Sequence, residues 1–139
     1  MNVEPSLLAY TLAAAGHAAF QVTVTALVYP ALARVPADRW PEAHGRHSRT
    51  IAPIVGLLYG ALVLTGGWTL AAGPSSYAVV AVALAAGCIA VTAFLAAPTH
   101  GRLAEPEPAL LRRLLAVDRV RALLAVASLA AALAALLTG

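Results

Sequence analysis

The chain is 139 residues long, 61% hydrophobic and 11% charged, with a mean hydropathy of +0.83. A soluble domain of this length needs far more polar surface, so the composition excludes a water-soluble globule and points to a membrane. The net charge of +3 rests on arginine with no lysine, and the single cysteine, Cys88, excludes a disulfide framework or a thiolate zinc site within one chain.

Four apolar segments follow one another, at about 7–29, 51–72, 77–97 and 110–137. Each has about 20 residues or more, enough at 1.5 Å per residue to cross a hydrocarbon core of ~30 Å. They are apolar on all sides, without the alternation over ~10 residues that a membrane strand requires, so the fold class is all-α. Pro30 and Pro36 are expected to end the first helix, and Asp38 or Ser48 to cap the second. Gly73-Pro-Ser-Ser76 reads as a tight turn in which Ser75 or Ser76 caps the third helix. Pro98 is expected to stop that helix, and Glu105-Pro-Glu-Pro108 to lead stiffly into the fourth. The expected architecture is one four-helix transmembrane bundle over residues 1–139, connected up-down-up-down.

Charge orients it. The longest polar stretch, Trp40-Pro-Glu-Ala-His-Gly-Arg-His-Ser-Arg49, reads as a turn-rich loop. With four spans this loop and the 98–113 connector share one side, and all nine arginines fall there or just inside its membrane edge. The arginine bias puts that side in the cytoplasm and both termini on the non-cytoplasmic side of a multi-pass cell-membrane protein. Arginines that flank apolar spans anchor to lipid headgroups, so lipid and not nucleic acid is the expected partner. Met1-Asn-Val-Glu-Pro5 carries no basic residue, which argues against a cleaved signal peptide.

Polar residues inside the spans recur at helical spacing. Tyr10, His17, Gln21 and Thr25 share a face of the first helix, Tyr77, Cys88, Thr92 and Thr99 one of the third, and Asp118, Arg121 and Ser128 one of the fourth. Polar atoms in hydrocarbon are costly without partners, so these stripes are expected to meet across the bundle interior. Gly56-x-x-x-Gly60 on the second helix reads as close helix packing, within the chain or between protomers of a homo-oligomer.

Several groups can carry chemistry. His17 sits near the middle of the first span, where an imidazole is either interhelical glue to Gln21 or Thr92, or a base, proton carrier or axial ligand. Asp118 and Arg121, three apart, form either an interfacial ion pair or a buried pair lining a cavity. His44 and His47, also three apart, can join His100 in a metal site at the cytoplasmic edge, with Asp118 as a carboxylate. Trp40, Trp68, Tyr29 and Tyr59 read as interfacial belt residues and Cys88 as packing.

Val28-Tyr-Pro-Ala-Leu32, Ala97-Pro-Thr-His-Gly-Arg-Leu103 and Val117-Asp-Arg-Val-Arg121 resemble three short motifs of the anthrone-oxygenase-like family of small four-helix membrane proteins. Pro30, Pro98 and Arg121 match the family pattern. His100 and Asp118 stand where it has asparagines, and Leu114 and Val117 where tryptophans are common. The resemblance implies oxygenation of a polycyclic anthrone to an anthraquinone without a cofactor. On that reading Arg121 stabilises an enolate oxygen, Asp118, His100 or His17 removes the proton, and Gln21, Thr92 and Tyr29 contact the hydrophobic small molecule. The alternatives are a haem-, metal- or quinone-binding subunit that uses His17 or the His44/His47 pair, and a non-catalytic scaffold that oligomerises through Gly56 and Gly60.

Overall fold

The computed structural model describes residues 4–138, so Met1, Asn2 and Val3, on which the signal-peptide argument partly rests, lie outside the described residues. Among the described residues four helices are long and apolar enough to cross a membrane: α1 (Pro5–Leu32), α2 (Ala37–Ala71), α3 (Ser76–Gly101) and α4 (Pro108–Thr138). The caps are local. Glu4 accepts from the Leu7 N–H at 2.9 Å and from the Ser6 hydroxyl, and these bonds, Ser6 foremost, hold its carboxyl below the usual carboxylate range. Ser75 accepts from the Ala78 N–H to open α3, as the turn motif suggests. Gly73, at φ +79°, supplies the left-handed residue that this turn needs.

Two prolines do not act as expected. α1 runs through Pro30 to Leu32, and α3 through Pro98 to Gly101. Each proline is preceded by one π-helical turn, Val24–Val28 in α1 and Thr92–Ala96 in α3. In these turns the Tyr29 N–H reaches back to the Val24 carbonyl and the Ala97 N–H to that of Thr92. The wider turn absorbs the missing N–H and relieves the ring against the preceding carbonyl, so the helix continues where an α register would break.

The 40–49 stretch is also helical, contrary to the loop expected. After a 3₁₀ turn at Ala37–Arg39, the α-helical part of α2 begins at Trp40 with Pro41 in its first turn, where a proline costs nothing. Neither Asp38 nor Ser48 caps it: Arg39 holds the cap position without a side-chain bond, and Ser48 donates to the His44 carbonyl inside the helix.

Packing is inverted relative to a soluble protein. Leu137 is 81% exposed, Phe94 78% and Leu64 75%, whereas Ala81, Ala125 and Ala132 are fully buried. Large side chains outward and alanines inward let backbones approach closely while lipid covers the apolar exterior. α4 packs most extensively on α3 and also on α1, α1 packs on α2, and α2 and α3 touch sparsely. One core cluster joins Tyr10, Leu62, Ala85 and Ala132; the other joins Tyr29, Trp40, Leu103 and Leu114. In the first, the Tyr10 hydroxyl lies 2.8 Å from the Ala81 carbonyl and 2.9 Å from Ser128. The polar stripes thus meet inside, with one exception: Tyr77 is 50% exposed and faces outward.

Candidate functional site

Eight of the nine arginines are exposed; Arg121 is the one that is buried. Its Nη1 donates to Asp118 Oδ1 at 3.0 Å, and the carboxylate also accepts from Gln21 Nε2 at 2.7 Å and from the Thr25 hydroxyl at 2.6 Å. Three donors on one buried carboxylate orient it and offset much of its desolvation cost. On its other side Arg121 Nη2 lies 3.4 Å from the Tyr59 hydroxyl, Tyr59 lies 2.5 Å from Thr92 Oγ1, and Thr92 donates to the Cys88 carbonyl at 2.9 Å. Either hydroxyl can donate in the Tyr59–Thr92 bond, and Tyr59 accepts from Arg121, which gives a hydrogen-bonded chain across α4, α2 and α3. Arg121 Nε and Gln21 Oε1 are buried with no hydrogen-bond partner among the described residues.

Arg121 lines a cavity of about 560 Å³ bounded by α1, α2 and α3. Both π turns border it, through Val24 on one side and Thr92 and Ala96 on the other. Its exposed lining residues, Ala52 and Gly56 on α2 and Ala97 and Gly101 on α3, set the mouth at the sparsely packed α2–α3 seam. A molecule dissolved in lipid can enter there without crossing water. The volume falls within the range of small-molecule sites.

Toward the Arg-rich end the wall turns aromatic. His44 stacks on Trp40 with ring centroids 5.2 Å apart and on His100 at 4.3 Å, and His47 lies 5.6 Å from His100. Trp40 itself is fully buried and fixed by its Nε1–H on the Leu103 carbonyl at 3.0 Å. The Nε2 atoms of His44, His47 and His100 are buried with no partner among the described residues. His44 and His100 line the cavity, whereas His47 faces a smaller groove between α1 and α2. The His44 and His100 rings are stacked, with 27° between their planes. Among the described residues no three His, Cys, Asp or Glu side chains are posed around a common point for a metal ion.

The residues singled out from the sequence therefore divide. Arg121, His100, Tyr29 and Thr92 border the cavity together with His44, while Asp118 and Gln21 stand behind Arg121. His17 is buried away from the cavity, its Nε2 3.8 Å from Cys88 Sγ and its ring edge-on to Tyr59 at 5.4 Å. Its neighbours are thus Cys88 and Tyr59 in place of the expected Gln21 or Thr92. Tyr29 and Trp40 are buried, not belt residues, and Tyr59 points inward; Trp68 is 53% exposed. Tyr59 and Thr25 complete the polar chain and were not singled out as site residues; the spacing of Thr25 from Gln21 was the signal for the second. No family model, no curated protein and no solved structure matches the chain.

Proposed function

We propose that this multi-pass protein of the cell membrane, connected up-down-up-down with both termini on the non-cytoplasmic side, binds a planar polycyclic ketone in the α2–α3 cavity and oxygenates it. The arginines support the orientation, since eight are exposed and all lie near the ends of spans that would share one side. The pairing of Tyr10 with Leu62 and Ala132, and of Tyr29 with Trp40 and Leu114, supports the connectivity. The observation that carries the function is a single buried arginine, with an unpartnered Nε, in the wall of an otherwise largely apolar cavity. In a low-dielectric site such a guanidinium favours an oxygen anion far more than it does in water. The resemblance of three motifs to anthrone-oxygenase-like proteins selects an anthrone as the ketone.

The anthrone carbonyl accepts from Arg121, and the methylene on the opposite edge of the central ring faces His100. Imidazole Nε2 of His100 takes a methylene proton, the negative charge moves onto the oxygen at Arg121, and the carbanion carbon combines with dioxygen. The peroxide anion takes the proton back from His100, and the hydroperoxide loses water, so that CH₂ + O₂ gives C=O + H₂O, with dioxygen as the oxidant. Asp118 acts through Arg121: both its oxygens are occupied, which makes it a positioning residue and leaves His100 as the base.

Oxygen uptake by the purified protein in lipid nanodiscs, with anthrone as substrate, tests this. His100→Phe keeps a ring against His44 and is expected to lower turnover by about 100-fold or more with anthrone affinity little changed. Unchanged uptake would remove His100 as base. Absence of any uptake with wild-type protein would remove the reaction. An absorption spectrum and metal analysis of the same preparation separate it from a haem- or metal-binding subunit.

A further inference from the structure

Three glycines of α2, unlike the buried Gly66, do not pack as small-residue motifs usually do. A Cβ placed on Gly56, Gly60 or Gly67 would meet nothing within 4 Å, and all three fall on one face by the 3.6 period. Gly56 and Gly67 each border a space between α2 and α3, and Gly60 lies between them along the helix. At one end of the line Gly56 borders the Arg121 cavity. At the other, Gly67 borders a second groove of about 230 Å³, lined by α2 and α3 alone and apolar throughout, with Leu62, Val82 and Ile89 among its walls. Thr92 of the cavity and Ile89 of the groove are three residues apart on α3, so the two spaces lie in line along one seam. From Gly56 to Leu70 the helix rises about 21 Å at 1.5 Å per residue.

The open glycine positions mark out a track along α2 on which a hydrocarbon chain can lie. It begins at Arg121, which is 4% exposed and carries an Nε with no partner among the described residues, and it ends among aliphatic side chains. We infer that the ligand is a membrane lipid with a planar aromatic head and a long apolar tail, the head held at Arg121 and the tail laid along the α2–α3 seam over Gly56, Gly60 and Gly67. This rests on the cavity at Arg121 being the ligand site. The polarity gradient selects the orientation: the polar atoms sit at the head end, and a tail in the far groove meets only hydrocarbon. Because the tail leaves lipid and not water, its gain comes from packing against two helices and is modest.

The test compares anthrone with an anthrone bearing a ten-carbon alkyl chain, each titrated into nanodiscs that hold the wild-type, Gly60→Leu or Arg121→Gln protein, with partition into empty discs subtracted. Gly60 lies outside the Arg121 cavity and its Cβ position is open, so leucine is accommodated there and fills the track. The alkyl chain is expected to raise wild-type affinity about tenfold, and Gly60→Leu to remove that gain while leaving anthrone itself unaffected. No gain from the chain, or a gain that survives Gly60→Leu, would overturn the inference. So would a Gly60→Leu change in oligomeric state with tail binding intact, since it would assign the track to a second copy. Anthrone binding that ignores Arg121→Gln would instead sink the cavity reading on which this one stands.

Discussion

Replacing Arg121 by alanine is expected to cost the fold about 3–5 kcal/mol and to abolish anthrone binding, because it leaves the Asp118 carboxylate buried and uncompensated. Asp118 is 1% exposed and Arg121 4%, so neither charge can turn to water when its partner is lost. Gln21 and Thr25 would still donate to the carboxylate, but two neutral donors do not replace a guanidinium at 3.0 Å. Replacing both members by leucine is expected to recover most of the stability, since a buried ion pair contributes little over apolar packing once its desolvation is counted. The double variant should nevertheless fail to bind. Thermal unfolding in detergent beside anthrone titration separates the two effects. A double variant that folds and binds would show the pair to be structural only.

Trp40→Ala carries the second large effect, again about 3–5 kcal/mol, as expected for deleting a fully buried indole. Trp40 stands at the junction of α2 with the end of α3: its ring backs His44 and its N–H holds the Leu103 carbonyl just beyond Gly101. Losing it opens a void and also frees His44, so the imidazole wall of the cavity loosens with the fold. Trp40→Phe is expected to keep most of the packing and lose about 1 kcal/mol with the hydrogen bond. The same thermal series reads both variants, and a Trp40→Ala midpoint equal to wild type would mean that the aromatic stack bears no weight.

What could be read from the sequence was whatever depends on composition and period. Four spans follow from hydropathy, and the inward stripe of Tyr10, His17 and Gln21 from helical spacing, because lipid penalises unpartnered polar atoms wherever they point outward. Pro30 and Pro98 were misleading for a physical reason: the penalty of a proline is local, and a π turn one register upstream removes it without trace in composition. Trp40 and Tyr59 were misplaced because amphipathic rings suit a membrane interface and a polar core equally well. Tyr77 shows the reverse error: it is half exposed while its neighbour Ala78 is buried, so the covered face at the start of α3 runs through Ala78. The stacking of His44 on His100 belongs to tertiary structure. It depends on α2 starting at residue 37 and α3 running on to 101, the two extensions the loop-breaking signals concealed.

The most direct measurement is anthrone affinity in nanodiscs for wild-type protein beside Gly56→Leu. Gly56 borders the Arg121 cavity and a Cβ there meets nothing, so the leucine can fill the cavity without disturbing a helix contact. Affinity is expected to fall about tenfold or more at an unchanged melting midpoint. Equal affinities for the two proteins would mean that the α2–α3 cavity is not where a ligand sits.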